Sequence, residues 1–404
     1  MRKTMMILGA SALQVPAIKK AKELGYRIIL VDYDENAVGF SLADVKLVVS
    51  TLDQEEVYRQ ALIHQPDVII TSTSDGPVRT AAYVNEKLGK KPDLSYEDAL
   101  CATVKSHMRR RLQECGVPIP IYNAVDDQEG FLEAVGRLGG RCIVKPADNA
   151  GSRGVVLLDK EEQKGRDELC RIYEYSRENS RSGTVMVEEF MEGPEVSVEA
   201  MTVDGVTKIL TITDKFITPP PYFVELCHCE PSRLPEEIQE EIRRVTLQAV
   251  AAIRLQNGPS HTEVKVTQDG VKIVELAARL GGDFITSRLV PLSTGVDMVG
   301  ASVALAVGRK PELTLTRQKG AAIHFLQGEE GTIRHMEVPE EVYRMAGVEE
   351  IVLYKKEGDC VHKTRSSNDR LGHVITSGES AQEAMDRGKR ALSMIRVEYW
   401  QRDN

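Results

Sequence analysis

The stretch HTEVKVTQDGVKIVELAARLGGD, residues 261–283, constrains the chain more than any other. Apolar and polar residues alternate on both sides of Asp269-Gly270, a dipeptide suited to the positive-φ positions of a tight turn, so two antiparallel strands are predicted. Glu263 stands six residues before Asp269 and Glu275 five after Gly270. Two carboxylates thus lie at comparable distances from the turn and can approach across the ladder. Like charges facing each other destabilise a hairpin unless a cation lies between them, and a divalent ion carrying phosphate oxygens meets that need. Two solvated strand residues would leave the same pattern. The sequel adds weight to a site, because Arg279 and the flexible Leu280-Gly281-Gly282-Asp283 follow directly on the second carboxylate.

With 404 residues the chain has room for two to four compact units. The net charge of -9 and the lack of any basic run argue against a nucleic-acid partner, since no run is placed to release phosphate counterions, while a local cationic pocket remains allowed. The apolar run after MRKT is too short for a signal-peptide core, and no stretch approaches the roughly eighteen apolar residues of a membrane span. A cytoplasmic protein without membrane contact is expected. Its seven cysteines are scattered with no CxxC pair, as free thiols in a reducing compartment are. Cys227-His228-Cys229 sends its sulfurs and its imidazole to opposite faces of a strand, which disfavours a metal site.

In chain order, Met5 to Gly9 reads as a buried strand, with a helix from Val15 to Leu24, a strand Arg27 to Val31 ending in Asp32, a helix Gln54 to His64 and a strand Asp67 to Thr71. This alternation predicts a doubly wound parallel sheet with its crevice at the strand carboxyl ends. The turn Gly9-Ala10-Ser11-Ala12-Leu13-Gln14 lacks the later glycines of a dinucleotide fingerprint. Ser11 and Thr73-Ser74-Asp75 are instead candidates for holding a small polar substrate. A helix from Tyr96 to Gly116 follows, with Ser95 as its cap and Pro118 and Pro120 forbidding continuation. On it Lys105, Arg109, Arg110 and Arg111 read as ordinary surface cations.

The second informative stretch runs from Arg141 to Val155: an apolar strand delivers Lys145, then Pro146, to a loop of small residues containing Ser152 and Gly154. Such a loop can curl backbone N–H groups around an anion beside a mobile ammonium, though a plain Gly-Ser connection reads the same. It is not a Walker loop, because a strand rather than a helix follows at Val155 to Leu158. A charged helix is predicted from about Glu161 to Asn179. After it, a strand from Val185 passes through Glu188-Glu189-Phe190-Met191 and Gly193 into a strand from Val196 to Val203. That hinge can offer backbone groups to a purine edge, with Phe190 and Met191 against the ring and Glu195 toward ribose hydroxyls.

Lys105, Lys145 with its loop, the Glu188 to Glu195 hinge and the Glu263, Glu275, Arg279 hairpin occur in the order and spacing of the ATP-grasp superfamily, which the chain resembles over most of its length. The resemblance implies an α/β and α+β architecture: a pre-ATP-grasp doubly wound sheet over residues 1–93, an ATP-grasp domain over 94–316 with a mobile lid near 120–187, and a small C-terminal α+β subdomain over 317–404. It implies that Lys105, Lys145, Ser152 and Gly154 meet ATP phosphates, that Glu188 and the Met191 backbone meet adenine, that Glu195 meets ribose, and that Glu189 belongs to the same nucleotide-binding set. Glu263 and Glu275 would bind Mg2+, with Mn2+ as a substitute, and Arg279 would stabilise charge on the transferring phosphoryl group. Many members carry Asn two residues after the second glutamate, where this chain has Ala277. The pattern His261-x-Glu263 with Glu275-x-x-x-Arg279-x-Gly-Gly is similar to the carboxylate-amine ligase branch that contains the L-amino acid ligases. On that branch a small carboxylate and an amine are joined through an acyl phosphate, His261, Arg288 and Ser74 are candidate substrate contacts, and a homodimer is expected. A purine-pathway member of the superfamily is the alternative. Further on, the sequence predicts a helix over Pro235 to Leu255 packed beside the hairpin, a buried helix over Met298 to Val307, and a strand at Gly320 to Leu326 opening the C-terminal unit.

Overall fold

The computed structural model describes residues 2–149, 153–159, 164–220 and 222–400. Its N-terminal unit is built on apolar runs buried from both faces. In chain order these are β1 (Thr4–Leu8), α1 (Val15–Glu23), β2 (Arg27–Asp32), β3 (Val45–Val48), α2 (Gln54–His64), β4 (Val68–Thr71) and α3 (Gly76–Lys87). The strands pair in parallel in the order β3-β2-β1-β4. Leu8, Asp32 and Thr71 end their strands side by side, and Asp32 accepts from the Ala10 N–H at 2.7 Å, fixing the turn after β1. The edge strand β3, with alternating exposure, was not anticipated, being four residues with no turn signal of its own.

The single helix expected over Tyr96 to Gly116 is two, α4 (Tyr96–Cys101) and α5 (Lys105–Glu114). Ser95 caps the first as expected. Two β-branched residues then break it: Thr103 turns its hydroxyl onto the Ala99 carbonyl at 2.7 Å and Val104 is extended. Lys105 therefore starts a helix instead of riding within one. Arg109, one turn on, is fully buried rather than on the surface, because the new helix axis points it inward.

The segment expected to form a lid comprises β5 (Tyr122–Val125), α6 (Gln128–Leu138), β6 (Cys142–Pro146), β7 (Val156–Leu158), α7 (Arg166–Glu178) and β8 (Val185–Glu189), with sheet order β5-β8-β6-β7. Phe131 of α6 and Tyr173 of α7 close its core against Val144 and Val187. The helix expected from about Glu161 begins at Arg166; the intervening 160–163, like Ser152, lie outside the described residues.

The remaining elements are β9 (Glu195–Val203), β10 (Val206–Ile217), β11 (Glu225–Glu230), α8 (Glu236–Ala252), β12 (Gly258–Thr267), β13 (Gly270–Ala277), a π-helical turn (Ile285–Leu289), α9 (Val290–Thr294) and α10 (Met298–Ala306). After them come β14 (Gly320–Leu326), β15 (Gly331–Glu337), α11 (Glu340–Tyr343), β16 (Val348–Leu353), β17 (Cys360–Val361), β18 (Gly372–Gly378), α12 (Ala381–Met394) and β19 (Arg396–Tyr399). Eight of the strands form one antiparallel sheet, β13-β12-β9-β10-β11-β14-β18-β16. The sheet thus runs unbroken past residue 317, since β14 pairs directly with β11. α8 seats Ile242 and Val245 against Ile273 and Leu276, beside the hairpin as expected. No single helix among the described residues is long and apolar enough to cross a membrane.

Candidate functional site

The hairpin forms where the alternation predicts, and one irregularity in it decides the site. Its ladder keeps register from Thr267–Gly270 to Val264–Ile273, then slips by one residue so that Glu263 faces Glu275. Side chains alternate with period two, so an unbroken ladder would set Glu263 against Val274 and turn Glu275 to the other face. The bulge at Val274 is held from below. Arg109 donates to the Ile273 and Val274 carbonyls at 3.1 and 2.8 Å, satisfying backbone that the ladder leaves free. Its other guanidinium edge grips both oxygens of Glu188 at 2.9 Å.

Above the bulge lies a cavity of about 190 Å3, whose wall includes Lys105, Lys145, Glu188, Glu189, Met191 and Glu195, with Glu263 and Glu275. Phe190 and Phe223 line it as an aromatic pair, ring centroids 6.4 Å apart, with the Arg141 guanidinium stacked over Phe190 at 4.4 Å. Gly193, at φ +126°, lets the hinge lie against β12: a Cβ there would sit 1.9 Å from the Val266 carbonyl oxygen. Gly154 is described, on the turn entering β7, also at positive φ.

Within the cavity every carboxylate has its own cation. Lys105 reaches Glu275 at 2.9 Å and Lys145 reaches Glu188 at 2.7 Å. Lys215, at the end of β10, lies 2.7 Å from both Glu195 and Glu263, and Lys265 lies 3.2 Å from Glu195. Glu189 is paired with Lys272. Burial alone would raise the Glu188 carboxyl, but Arg109 and Lys145 outweigh it and hold it down at about 2. Burial, with Arg109 and Lys105 nearby, holds the Lys145 ammonium below the ordinary lysine value in spite of Glu188. The oxygens of Glu188 are therefore turned to cations.

His261 lies beneath the cavity rather than in its wall. Its Nδ1 is 2.6 Å from buried Glu199 and its Nε2 is 3.7 Å from Glu263. Burial lowers its basicity, but Glu199 overcomes this and raises the imidazole to about 9. Gly281 packs over the pair, where a Cβ would sit 2.8 Å from both Glu199 Oε2 and His261 Nδ1. Ala277 faces His261 across the ladder.

Glu275 also lines a second, larger space of about 580 Å3, the cleft between the N-terminal strand ends and the lid. Asn149 and Arg153 line both spaces, so the two meet there. Ser74 is in the cleft and accepts, like Thr73, from the Gln14 amide at 2.8 and 2.9 Å. Arg279 spans to the same wall, donating to Asp75 at 2.7 Å. Two cleft arginines, Arg79 of α3 and Arg181 of the lid, have side chains with no hydrogen bond or ion pair among the described residues, and Arg181 passes 3.6 Å from where a Gly76 Cβ would stand.

Arg288 lines neither space; it pairs with Glu350 of β16 at 3.0 Å. Cys227 and Cys229 turn from His228 as strand alternation requires: His228 faces Asp283 at 3.2 Å, whereas Cys229 contacts the Ala381 carbonyl of α12. Arg370 closes this corner on Asp283 at 2.9 and 3.0 Å and on Glu225 at 3.1 Å. Asp283 and Phe284 are consecutive non-glycine residues at positive φ, strain that the network around them holds in place. Sequence reasoning missed Arg109, Lys215, Glu199 and this Asp283 network. Only Lys215 left a trace, as a lone cation in the run ILTITDKFI.

The donor set suits a divalent cation: hard carboxylate oxygens from two facing strands, already balanced by positive charge. A family model for the ATP-grasp domain matches residues 138–287, and one for the L-amino acid ligase C-terminal domain 2 matches residues 323–399. The chain is 27% identical over 296 residues to the uncharacterized protein y4rH of Sinorhizobium fredii, covering 72% of this chain and spanning 60% of that relative's length. It is 26% identical over 340 residues to the L-arginine-specific L-amino acid ligase of Bacillus subtilis, covering 82% of this chain and 79% of the relative. In fold it is similar to the crystal structure of L-amino acid ligase from Bacillus licheniformis, with a TM-score of 0.83 at 21% identity over 99% of this chain and 100% of the other. The hairpin site falls within the first of two matched domains: the chain carries an ATP-grasp domain over residues 138–287 and an L-amino acid ligase C-terminal domain over residues 323–399.

Proposed function

We propose that this protein is a Mg2+- and ATP-dependent ligase that activates a small carboxylate, such as an amino acid, as an acyl phosphate and joins it to an amine. The observation that carries this reading is the bulge that sets Glu263 against Glu275 where the cavity and the cleft meet. The purine lies between Phe190, Met191 and Phe223, with the hinge backbone along its edge and the ribose toward Glu195. Lys105 and Lys145 leave their carboxylates for the phosphates, near Gly154 on the turn entering β7. Glu188, gripped by Arg109, acts on the nucleotide by positioning Lys145. Glu263 and Glu275 would hold the magnesium ion, which would supply charge neutralisation at the terminal phosphates.

A substrate carboxylate oxygen in the cleft attacks the γ-phosphorus and ADP leaves. The amine nitrogen then attacks the acyl carbon, expelling phosphate and losing its proton. Arg279, held by Asp75, faces the charge that develops in both steps, so catalysis is positioning and charge neutralisation. The unengaged Arg79 and Arg181, with Ser74, suit the carboxylate groups of the substrates. The same two arginines favour a second reading, a purine-pathway enzyme whose substrate carries a sugar phosphate.

The test is ADP and phosphate release from Mg-ATP across amino acids, singly and in pairs. Glycine with phosphoribosylamine, and formate with phosphoribosylglycinamide, are the rival arms. Release that needs a carboxylate and an amine together supports the ligase. Release with a purine precursor alone moves the protein to the second reading, and release with none removes both.

A further inference from the structure

Lys215 is the most enclosed cation of the nucleotide cavity, its side chain 4% exposed, and it touches two carboxylates for which the proposed reaction has other uses. Glu195 is the ribose residue of that reading and Glu263 a metal ligand. The ammonium stands 2.7 Å from each. Lys105 at Glu275 is comparable in distance but touches one carboxylate only, and Lys265 touches Glu195 without reaching Glu263. We propose that Lys215 is the resident cation of the metal position, a positioning residue that holds Glu263 closed to magnesium until a nucleotide engages Glu195 and takes over the released ammonium.

The inference rests on the reading of Glu263 as a metal ligand. Three carboxylates, Glu195, Glu263 and Glu275, converge on one cavity and repel one another unless cations intervene. In the nucleotide-free protein Lys215, Lys105 and, at Glu195 alone, Lys265 are those cations. A divalent ion arriving alone must displace Lys215 from Glu263 while Glu195 still retains it, so the ammonium stays in place to repel the ion. A nucleotide changes both terms: ribose hydroxyls compete for Glu195, and phosphates give the ammonium a new partner. One lysine therefore couples the two arrivals, and the coupling is reciprocal, with metal on Glu263 tightening nucleotide binding.

The experiment is Mn2+ binding to the purified full chain, read from the loss of the free-ion EPR signal, with and without ADP. The wild type is expected to bind Mn2+ weakly alone and strongly with ADP. Lys215→Met is expected to bind Mn2+ about tenfold more tightly than wild type without nucleotide, and to gain less from ADP. Lys265→Met is expected to match the wild type without nucleotide. Lys215→Gln keeps a donor between the two carboxylates and serves if the Met variant does not fold. Mn2+ binding in a folded Lys215 variant that is no tighter than wild type overturns the proposal while leaving the metal reading intact. Wild type that takes up no Mn2+ even with ADP overturns the metal reading itself, and this proposal with it.

Discussion

The two spaces that meet at Glu275 are finished to different degrees. In the nucleotide cavity each acid is matched by a cation within hydrogen-bond reach. In the cleft the acids are also engaged: Asp75 by Arg279, and Asp148 by Ser180 and the backbone of Arg181 and Ser182. There, however, Arg79 and Arg181 are left with free guanidinium groups among the described residues. A site for a ligand that brings its own cation can be self-neutral when empty. A site for bare carboxylates must keep positive charge in reserve. The difference accords with the proposed division, metal-nucleotide in one space and anionic substrate groups in the other.

Arg279 lines neither space but is held by Asp75 of the cleft wall within charge range of Glu275 and Glu263, and its loss should show the largest effect. Arg279→Ala is expected to lower ADP formation about a thousandfold or more while leaving nucleotide affinity within a few fold, measured by turnover and by ADP titration. Equal losses in turnover and ADP affinity would instead put Arg279 on the nucleotide alone. Arg109→Met should damage only the cavity. It strips the bulge carbonyls of their donor and leaves Glu188 to Lys145, at a cost of about 3 kcal/mol read from the urea midpoint. Arg79→Ala should touch only the cleft, raising KM for the carboxylate about tenfold with KM for ATP unchanged. A shift in the ATP value would dissolve the division drawn above.

The smallest effect is expected at Glu230, which serves neither space. Burial pushes its carboxyl up to about 8 from the ordinary 4.5, with Ser293 and Thr213 donating hydrogen bonds that partly offset this. The folded protein therefore favours the neutral acid. Stability from it is complete at low pH and drains away as pH rises from 4.5 through about 8. Glu230→Gln, neutral throughout, should melt a few degrees above wild type at about pH 8.5 and converge with it below about pH 4.5, with turnover little changed.

Much of this was legible in the chain because local rules carry it. The turn at Asp269-Gly270, the parallel strands of the N-terminal unit, the cap Ser95 and the hinge residues need only periodicity and turn chemistry. The facing of Glu263 and Glu275 was legible as a distance from the turn, but not as a bulge, since the donor that stabilises it sits on α5, over 160 residues earlier. The same helix was misread at Thr103 and Val104, where a break without Gly or Pro gives a weak signal. Lys215 and Arg288 show the other limit. One was overlooked in the strand that delivers it to the site, and the other pairs with β16, a strand with no local signal strong enough to foresee.

The unbroken eight-stranded sheet bears on how this protein can be cut and recombined. The connection between α10 and β14 looks in sequence like a place to trim or exchange a C-terminal module. A chain ended there would bare the backbone of β11 from Cys227 to Glu230, which β14 covers, and an open edge of that kind recruits other strands. Truncated versions should therefore be sticky, whereas the two pieces made together have a ready-made seam along which to rejoin. A chimera with a relative would be safer if its junction kept β11 and β14 from the same parent.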